Sequence, residues 1–382
     1  MSRVGESRVA LVYDHLYPFS VGGAERYYWT LARALARETP VTQVAPRVWE
    51  GPRVRTEAGV EQVGVGGRGA GAYSPKLAFA FGAFAHFLRH GGRYSVVHCC
   101  CFPAIAVLAV RAGLVPHRGA RLVVDWHEVL PRSTWRRRRG RIGDLGWFAQ
   151  RAAVGCGTVA VTFSRMHERR LRDAGRRGAV RVLPEFTPED EAAVAEGHAN
   201  VERERLIVFA GRLVGEKRAH LVPGVLAELR AAQDGWRAVV FGRGEDFERV
   251  QEEARAAGVA DALEMAGFAP WEDVSRAMHR ASALVFPTTR EGFGLVVLEA
   301  AAHGLPSVLV AEPDNAAVEL IEEGVNGHVC ASADPGEQAR AVLALAQDPA
   351  IHARTRDWYE RASERYSVPN AVRELHALHA EL

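Results

Sequence analysis

Two glutamates eight residues apart, Glu291 and Glu299, stand in the segment "REGFGLVVLEAAAHGLP" that runs from Arg290 to Pro306. The stretch Leu295 to His303 is almost wholly apolar and predicts a buried helix with Glu299 in its middle. A carboxylate in such a run costs several kcal/mol unless something pairs with it. Upstream, the loop after the apolar run "LIVFAG" supplies Arg212 and, five residues on, Lys217. Cations at the carboxyl end of a sheet suit a diphosphate. Carboxylates beside glycines suit sugar hydroxyls, because Gly292 and Gly294 let the backbone approach a ligand with no Cβ in the way. Two readings of Glu299 stay open on these residues. Either it accepts from the two hydroxyls of a ribose, or it pairs with Arg212, Lys217 or a backbone amide.

The amino-terminal half offers a second set. In "VGGAERY", Gly22 and Gly23 open a helix whose N-terminal amides favour an anion. In "VVDWHEV" an apolar run delivers Asp125, His127 and Glu128 to its carboxyl end, and "VVHCC" delivers His98. A lone histidine after a strand is as readily a satisfied core residue as a functional one.

The elements that must position these residues follow a repeated pattern. "RVALVYDH" predicts a buried parallel strand, followed by a glycine loop and then "AERYYWTLARALARE" with helical spacing of Tyr28, Leu31 and Leu35. Strand, glycine loop and helix open a doubly wound α/β unit. "VTQVAP", "YSVVHCC", "RLVVDWHE", "GTVAVTFS" and "VRVLPEF" continue as strands, with helices over Tyr73–His90, Phe102–Ala112 and "RMHERRLRDA". Residues 185–204 lose the apolar period and predict a linker. "RLIVFAGRL" restarts the pattern, and "RAVVFGRG", "ALEMAGF", "ASALVFPT", "PSVLVA" and "GHVCAS" are five further strands. The expectation is two Rossmann-like domains, 1–184 and 205–365, with a cleft where the carboxyl ends of both sheets meet.

Bulk properties narrow the classes. A chain of 382 residues fits two domains. Lys+Arg 48 against Asp+Glu 46 argues against a nucleic-acid binder, which carries a basic excess. Five cysteines, three of them consecutive (Cys99, Cys100 and Cys101), form neither a disulfide framework nor a zinc spacing and read as small buried hydrophobes. Reduced cysteines and the lack of a signal-peptide pattern suit the cytoplasm. No window approaches the roughly 18 uncharged apolar residues that span a bilayer. "GVGGRGAGA" (Gly64–Ala72) reads as a loop. "WRRRRGR" (Trp135–Arg141) reads as a solvated surface loop, or as a dock through Arg136–Arg139 for an anionic acceptor or the inner membrane face.

"GRLVGEKR" followed by "EGFGLVVLEAAAHGLP" resembles the signature of the retaining nucleotide-sugar glycosyltransferases of the GT-B fold, family four, whose E-x7-E motif is met by Glu291 and Glu299. The resemblance covers nearly the whole chain. It implies that Arg212 and Lys217 bind the donor's diphosphate, that Glu291 contacts the donor sugar, and that Glu299 holds the ribose. The implied donor-binding set is Gly22, Gly23, Gly211, Arg212, Lys217, Gly242, Glu291, Gly292, Phe293, Gly294, Leu295 and Glu299. His127 matches the family's active-site histidine; with Glu291, Arg212 and Lys217 it forms the implied catalytic set. His98, Asp125 and Glu128 are acceptor-side candidates. The tail "YSVPNAVRELHALHAEL" resembles the last helix, about 366–382, which returns to the first domain. The family's Asn-Gly pair at one strand exit is replaced here by Pro184, Glu185 and Phe186.

What the resemblance implies for mechanism is metal-independent front-face substitution with retention, from a UDP- or GDP-sugar to an acceptor hydroxyl; no D-x-D metal signature occurs. The acceptor is a natural product, a lipid-linked molecule or a saccharide. An epimerase or hydrolase on the same fold, and a catalytically silent nucleotide-sugar-binding protein, are the alternatives. A dehydrogenase fits worse, since "SVGGAER" is not G-x-G-x-x-G.

Overall fold

The computed structural model describes residues 8–20, 22–66, 75–186 and 203–382. They divide into two compact units, Met1–Phe186 with Val368–Leu382, and Thr187–Ser367. Most of the glycine-rich stretch (67–72) and of the expected linker (187–202) lies outside the described residues.

The first unit is built on an eight-stranded sheet of order β3-β4-β2-β1-β5-β6-β7-β8. Its strands are β1 (Val9–Val12), β2 (Val41–Pro46), β3 (Val54–Glu57), β4 (Val60–Val65), β5 (Val96–Cys100), β6 (Arg121–Trp126), β7 (Val159–Thr162) and β8 (Ala179–Val182). All neighbours are parallel except β3 and β4. β1 and β7 are buried along their length, as parallel strands covered on both faces require. The chain turns outward in opposite directions from β1 and β5, so the switch point of this sheet lies at their carboxyl ends.

The β3–β4 hairpin is absent from the sequence expectation. Its turn residues Ala58 and Gly59 both take positive φ (48° and 81°), the primed turn that suits right-twisted strands. Alanine in the first of these positions hides the usual Asn-Gly or Asp-Gly signal. A second correction concerns the arginine run, expected as a loop. It is the helix Arg132–Arg139, with Pro131 at its N-cap and Gly140 (φ 57°) at its end. Arginine is a good helix former, and the run is bounded by a starter and a stopper. The C-terminal helix Val368–Ala380 packs on the helix Gly23–Leu35, and Arg121 Nε donates to the Leu382 carbonyl at 3.0 Å.

The second unit contains every strand expected from its sequence: β9 (Leu206–Ala210), β10 (Arg237–Phe241), β11 (Leu263–Gly267), β12 (Ala283–Phe286), β14 (Ser307–Val310) and β16 (Gly327–Cys330). They form a parallel sheet of order β11-β10-β9-β12-β14-β16. Counted within the unit this is 3-2-1-4-5-6, the doubly wound order, with its switch point between β9 and β12. A short bridge, β13 (Arg290–Glu291) with β15 (Asp314–Asn315), sits beyond the main sheet.

Candidate functional site

The loops leaving β9 and β12 start side by side, because these strands are paired (Ala283 with Ile207, Leu284 with Val208). They are then sewn together through one carbonyl. Glu216 O accepts from the Thr289 backbone N–H at 2.8 Å, and the hydroxyls of Thr289 and Thr288 each lie 3.1 Å from it. Beside this seam the Arg290 guanidinium pairs with the Glu216 carboxylate, and Lys217 Nζ pairs with Glu291 Oε1. Lys217 is buried, with its ammonium 5.4 Å from the Phe286 ring centroid. Arg218, in the left-handed region (φ 50°), reaches Glu312 at 2.6 Å. Arg212 is exposed, and none of its side-chain atoms has a hydrogen bond or ion pair among the described residues. Lys217 and Glu291 are thus brought together at the switch point, while Arg212 stands open to solvent on the same loop.

Gly294 begins the helix Leu295–Ala302 with φ 103°, and a Cβ there would fall 2.5 Å from the Ala317 Cβ. Only glycine fits both the dihedral and the space. No side chain caps this helix start. Gly292 and Leu295 are half-buried, and Phe293 is buried with its ring 6.0 Å from that of Tyr366. Glu299 is only 7% exposed on a helix whose residues from Val297 on are all buried. Its backbone carbonyl accepts from His303 Nδ1 at 2.8 Å, and His303 Nε2 lies 2.7 Å from Ser275 Oγ.

Gly242 takes φ 136°, and its missing Cβ would meet the Gly211 carbonyl at 1.8 Å. Its close approach is therefore to the chain's own loop. Gly211 is different: nothing lies nearer than 3.6 Å to a Cβ built there.

In the first unit His127 stacks on Phe163 (centroids 4.4 Å apart, planes 24°) with the edges of Tyr27 and Tyr28 at 5.5 and 5.6 Å. Its Nδ1 lies 3.1 Å from Glu185 Oε1, and its buried Nε2 has no hydrogen-bond partner. Burial pulls the His127 pKa down, but the hydrogen bond and charge of Glu185 outweigh it and the net shift is upward. Burial raises Tyr27 and Tyr28 far above the ordinary phenol range. Phe186 stacks on Tyr27 at 4.8 Å. Glu185 and Phe186, the first two residues of the expected linker, pack against His127 and Tyr27. Sequence reasoning missed Glu185, Tyr27 and Phe163. The one available signal was an acid where the family has Asn-Gly.

His98 and Asp125 meet each other. His98 is 1% exposed and Asp125 2%. The Tyr28 hydroxyl donates to Asp125 Oδ2 at 2.8 Å, His98 Nδ1 lies 3.0 Å from Asp125 Oδ1, and His98 Nε2 lies 2.9 Å from His379 Nε2. This buried chain ties His98 and Asp125 to the C-terminal helix. Glu128 remains half-buried, its carbonyl 3.6 Å from Cys101 Sγ. Gly22 is the extended N-cap of the helix Gly23–Leu35, and the Glu25 carboxylate stands 2.6 Å from where a Gly22 Cβ would be. An acid of the chain already lies at that helix start. Among the described residues no group of three or more His, Cys, Asp or Glu side chains is placed to hold a metal ion.

Two doubly wound units, one with charged loops converging at its switch point, are the architecture of the GT-B fold. The chain belongs to the family-four glycosyltransferases: residues 21–191 match the family described as Glycosyltransferase Family 4, and residues 190–365 match Glycosyl transferases group 1. It is 34% identical over 144 residues to the glycogen synthase of Mycobacterium tuberculosis, across 38% of this chain and 34% of that protein. The matched stretch thus spans about a third of that relative. The fold resembles sucrose-phosphate synthase from Thermosynechococcus elongatus (TM-score 0.78, 17% identity, 98% of both chains). It also resembles Anabaena HepE crystallised with UDP-glucose (TM-score 0.73, 18% identity, 98% of this chain and 100% of that one).

Proposed function

We propose that this protein is a retaining glycosyltransferase that moves a hexose from a UDP- or GDP-sugar to an acceptor hydroxyl. The observation that carries the reading is the Lys217–Glu291 pair at the β9/β12 switch point, with Arg212 open on the same loop. A structural salt bridge alone would not need an unpaired cation beside it. The family's residue roles fit this placement.

On this reading Arg212, Lys217 and the uncapped amides at Gly294–Leu295 take the charge that develops on the leaving diphosphate. Glu291 and the backbone of Gly292 and Phe293 hold the sugar, and Glu299 holds the ribose. The acceptor oxygen bonds to the anomeric carbon on the face from which the diphosphate leaves. The departing phosphate oxygen takes the acceptor's proton, so configuration is retained and no protein base is needed. His127 donates through Nε2 to a sugar hydroxyl, and its raised pKa favours the protonated ring. UDP-glucose is the first donor to test, because a protein of the same fold was crystallised with it. The acceptor class is a saccharide, a lipid-linked molecule or a small natural product bearing a free hydroxyl.

The test is a thermal-shift panel of UDP- and GDP-sugars, followed by nucleoside diphosphate release with and without a chelator. A ligand bound only by the native state raises the melting point. The expected result is a shift with one nucleotide sugar and release that survives chelation. Release abolished by the chelator and restored by a divalent ion would overturn the metal-independent part. Turnover of the sugar without any acceptor would mark an epimerase or hydrolase. A shift without turnover across acceptor classes would mark a silent binding protein.

A further inference from the structure

The first unit carries a surface that the transfer chemistry does not use. The helix Arg132–Arg139 packs against the helix Gly143–Val154, and Gly143, Gln150, Ala153 and Val154 face inward. Gln150 locks that side by exchanging hydrogen bonds with both backbone groups of Leu130 (3.1 and 2.9 Å). On the outward side stand Ile142, Leu145 and Phe148, 73%, 70% and 56% exposed. Single exposed apolar residues are ordinary, but these follow one another at intervals of three and so share one helical face.

The surroundings of that ridge are cationic. Residues 132–151 contain seven arginines and one acid, Asp144, whereas the rest of the chain has more acids than bases. Asp144 is already spent, bonded to Arg132 at 2.8 Å and to Arg136 at 2.9 Å. Those bonds hold its carboxyl below the usual carboxylate range. Arg132 lies 4.9 Å from the Trp147 ring centroid and Arg151 lies 5.2 Å from it on the same indole. Arg137, Arg138, Arg139 and Arg141 remain exposed. Guanidiniums spread over an indole beside exposed leucine and phenylalanine form a surface that fits the boundary between headgroups and acyl chains. No described helix is long and apolar enough to cross a membrane.

We propose that this face docks the protein on an anionic phospholipid surface, with Ile142, Leu145 and Phe148 entering the interfacial layer and the arginines on the lipid phosphates. The charge selects this occupant. A second copy on a two-fold axis would set arginines against arginines, and a neutral surface would leave the basic cluster with nothing to bind.

Vesicle co-sedimentation of the full chain tests it, with no donor or acceptor present, so the result stands apart from the transferase assignment. Vesicles of phosphatidylcholine alone are compared with vesicles about one third phosphatidylglycerol. We expect binding to the anionic vesicles only, weakened by high salt. Leu145→Ser with Phe148→Ser, and separately the Arg137→Gln, Arg138→Gln and Arg139→Gln triple variant, each weaken it at least about tenfold. These side chains are exposed, so the variants should fold, and an unchanged melting point checks that. Equal binding to both vesicle types, no binding to either, wild-type binding by either variant, or concentration-dependent self-association lost in Leu145→Ser would overturn the proposal.

Discussion

Lys217 meets Glu291 at the tips of two loops whose backbones are tied through the Glu216 carbonyl; His127 meets Glu185 inside a box of aromatic rings. Each pair joins an acid to a base, yet the supports differ in kind. Lysine is a compact charge on a flexible stem, fixed here by a polar seam at the open end of a sheet. The imidazole is a flat ring held by stacking, and only its Nδ1 is spoken for. The first arrangement presents charge to a ligand. The second sets the proton content of one side chain. The sharpest ways to separate them are variants that disturb one support and leave the other intact.

The largest effect is expected at the loop pair. Lys217→Ala and Glu291→Ala should each lower kcat/KM for nucleoside diphosphate release by about 100-fold or more, since on the proposed mechanism the first removes a cation from the leaving diphosphate and the second removes the group that holds the sugar. Either change also leaves one partly buried charge unmatched, so the melting point should fall as well. The double variant should lose less stability than the sum of the two, because the charges are coupled. If both single variants kept more than half their activity, the switch-point assignment would be wrong.

Next in size is Gly294→Ala. The left-handed backbone and the nearby Ala317 Cβ together should cost about 2–3 kcal/mol, measured by denaturant unfolding. Gly211→Ala is the contrast: the space there is open, so stability should change by less than about 1 kcal/mol. A large loss at Gly211 and none at Gly294 would reverse the packing picture of these loops.

Why was one half so much easier to read in the sequence? Most strands of the second unit are short apolar runs with a glycine or proline at or beside one end, and the unit's candidate charged residues sit in two contiguous motifs, so Lys217, Glu291 and Glu299 can be named as candidates from spacing alone. His127 was nameable too, but its partner is 58 residues away in a stretch with no apolar period. Nothing local says that Glu185 folds back onto the ring. The partners of His98 are equally distant in the chain: Asp125 lies on the neighbouring strand and His379 on the C-terminal helix, and no local spacing announces either hydrogen bond. Spacing along one loop is visible in a chain, while closure by a distant helix is not. The β3–β4 hairpin escaped because Ala58 takes a conformation that alanine rarely adopts.

That helix closure has its own pH signature. Burial lowers the pKa of His379 to about 3, and those of His86 and His352 to about 4. The folded state resists protonating them while the unfolded chain does not, so stability falls as pH drops from about 6.5 towards those values. Allowing for their partial exposure, each contributes on the order of 1–2 kcal/mol to the loss. At the His98–His379 contact the two Nε2 atoms lie 2.9 Å apart, so one donates and the other accepts and the contact ties the helix to the sheet. Hydrogen exchange should therefore show the helix Val368–Ala380 opening before the second unit's sheet as pH is lowered. Simultaneous opening of both would remove this helix's special sensitivity.

The smallest and most discriminating effect is expected at Glu185. The His127 pKa is raised, so the stability its protonated ring gains from Glu185 is complete below the ordinary histidine value. It is lost as pH rises through the folded one. Glu185→Gln keeps a hydrogen-bonding oxygen near Nδ1 and removes the charge, leaving burial as the dominant influence on the ring. The alkaline limb of the kcat/KM profile should then move to lower pH, with activity down a few-fold near about pH 8 and close to wild type near about pH 6. A purely structural role for Glu185 would scale the whole profile down and leave the limb where it was. In that case the His127 pocket would be a packing feature, and the contrast with Lys217 and Glu291 would be one between a site and a core.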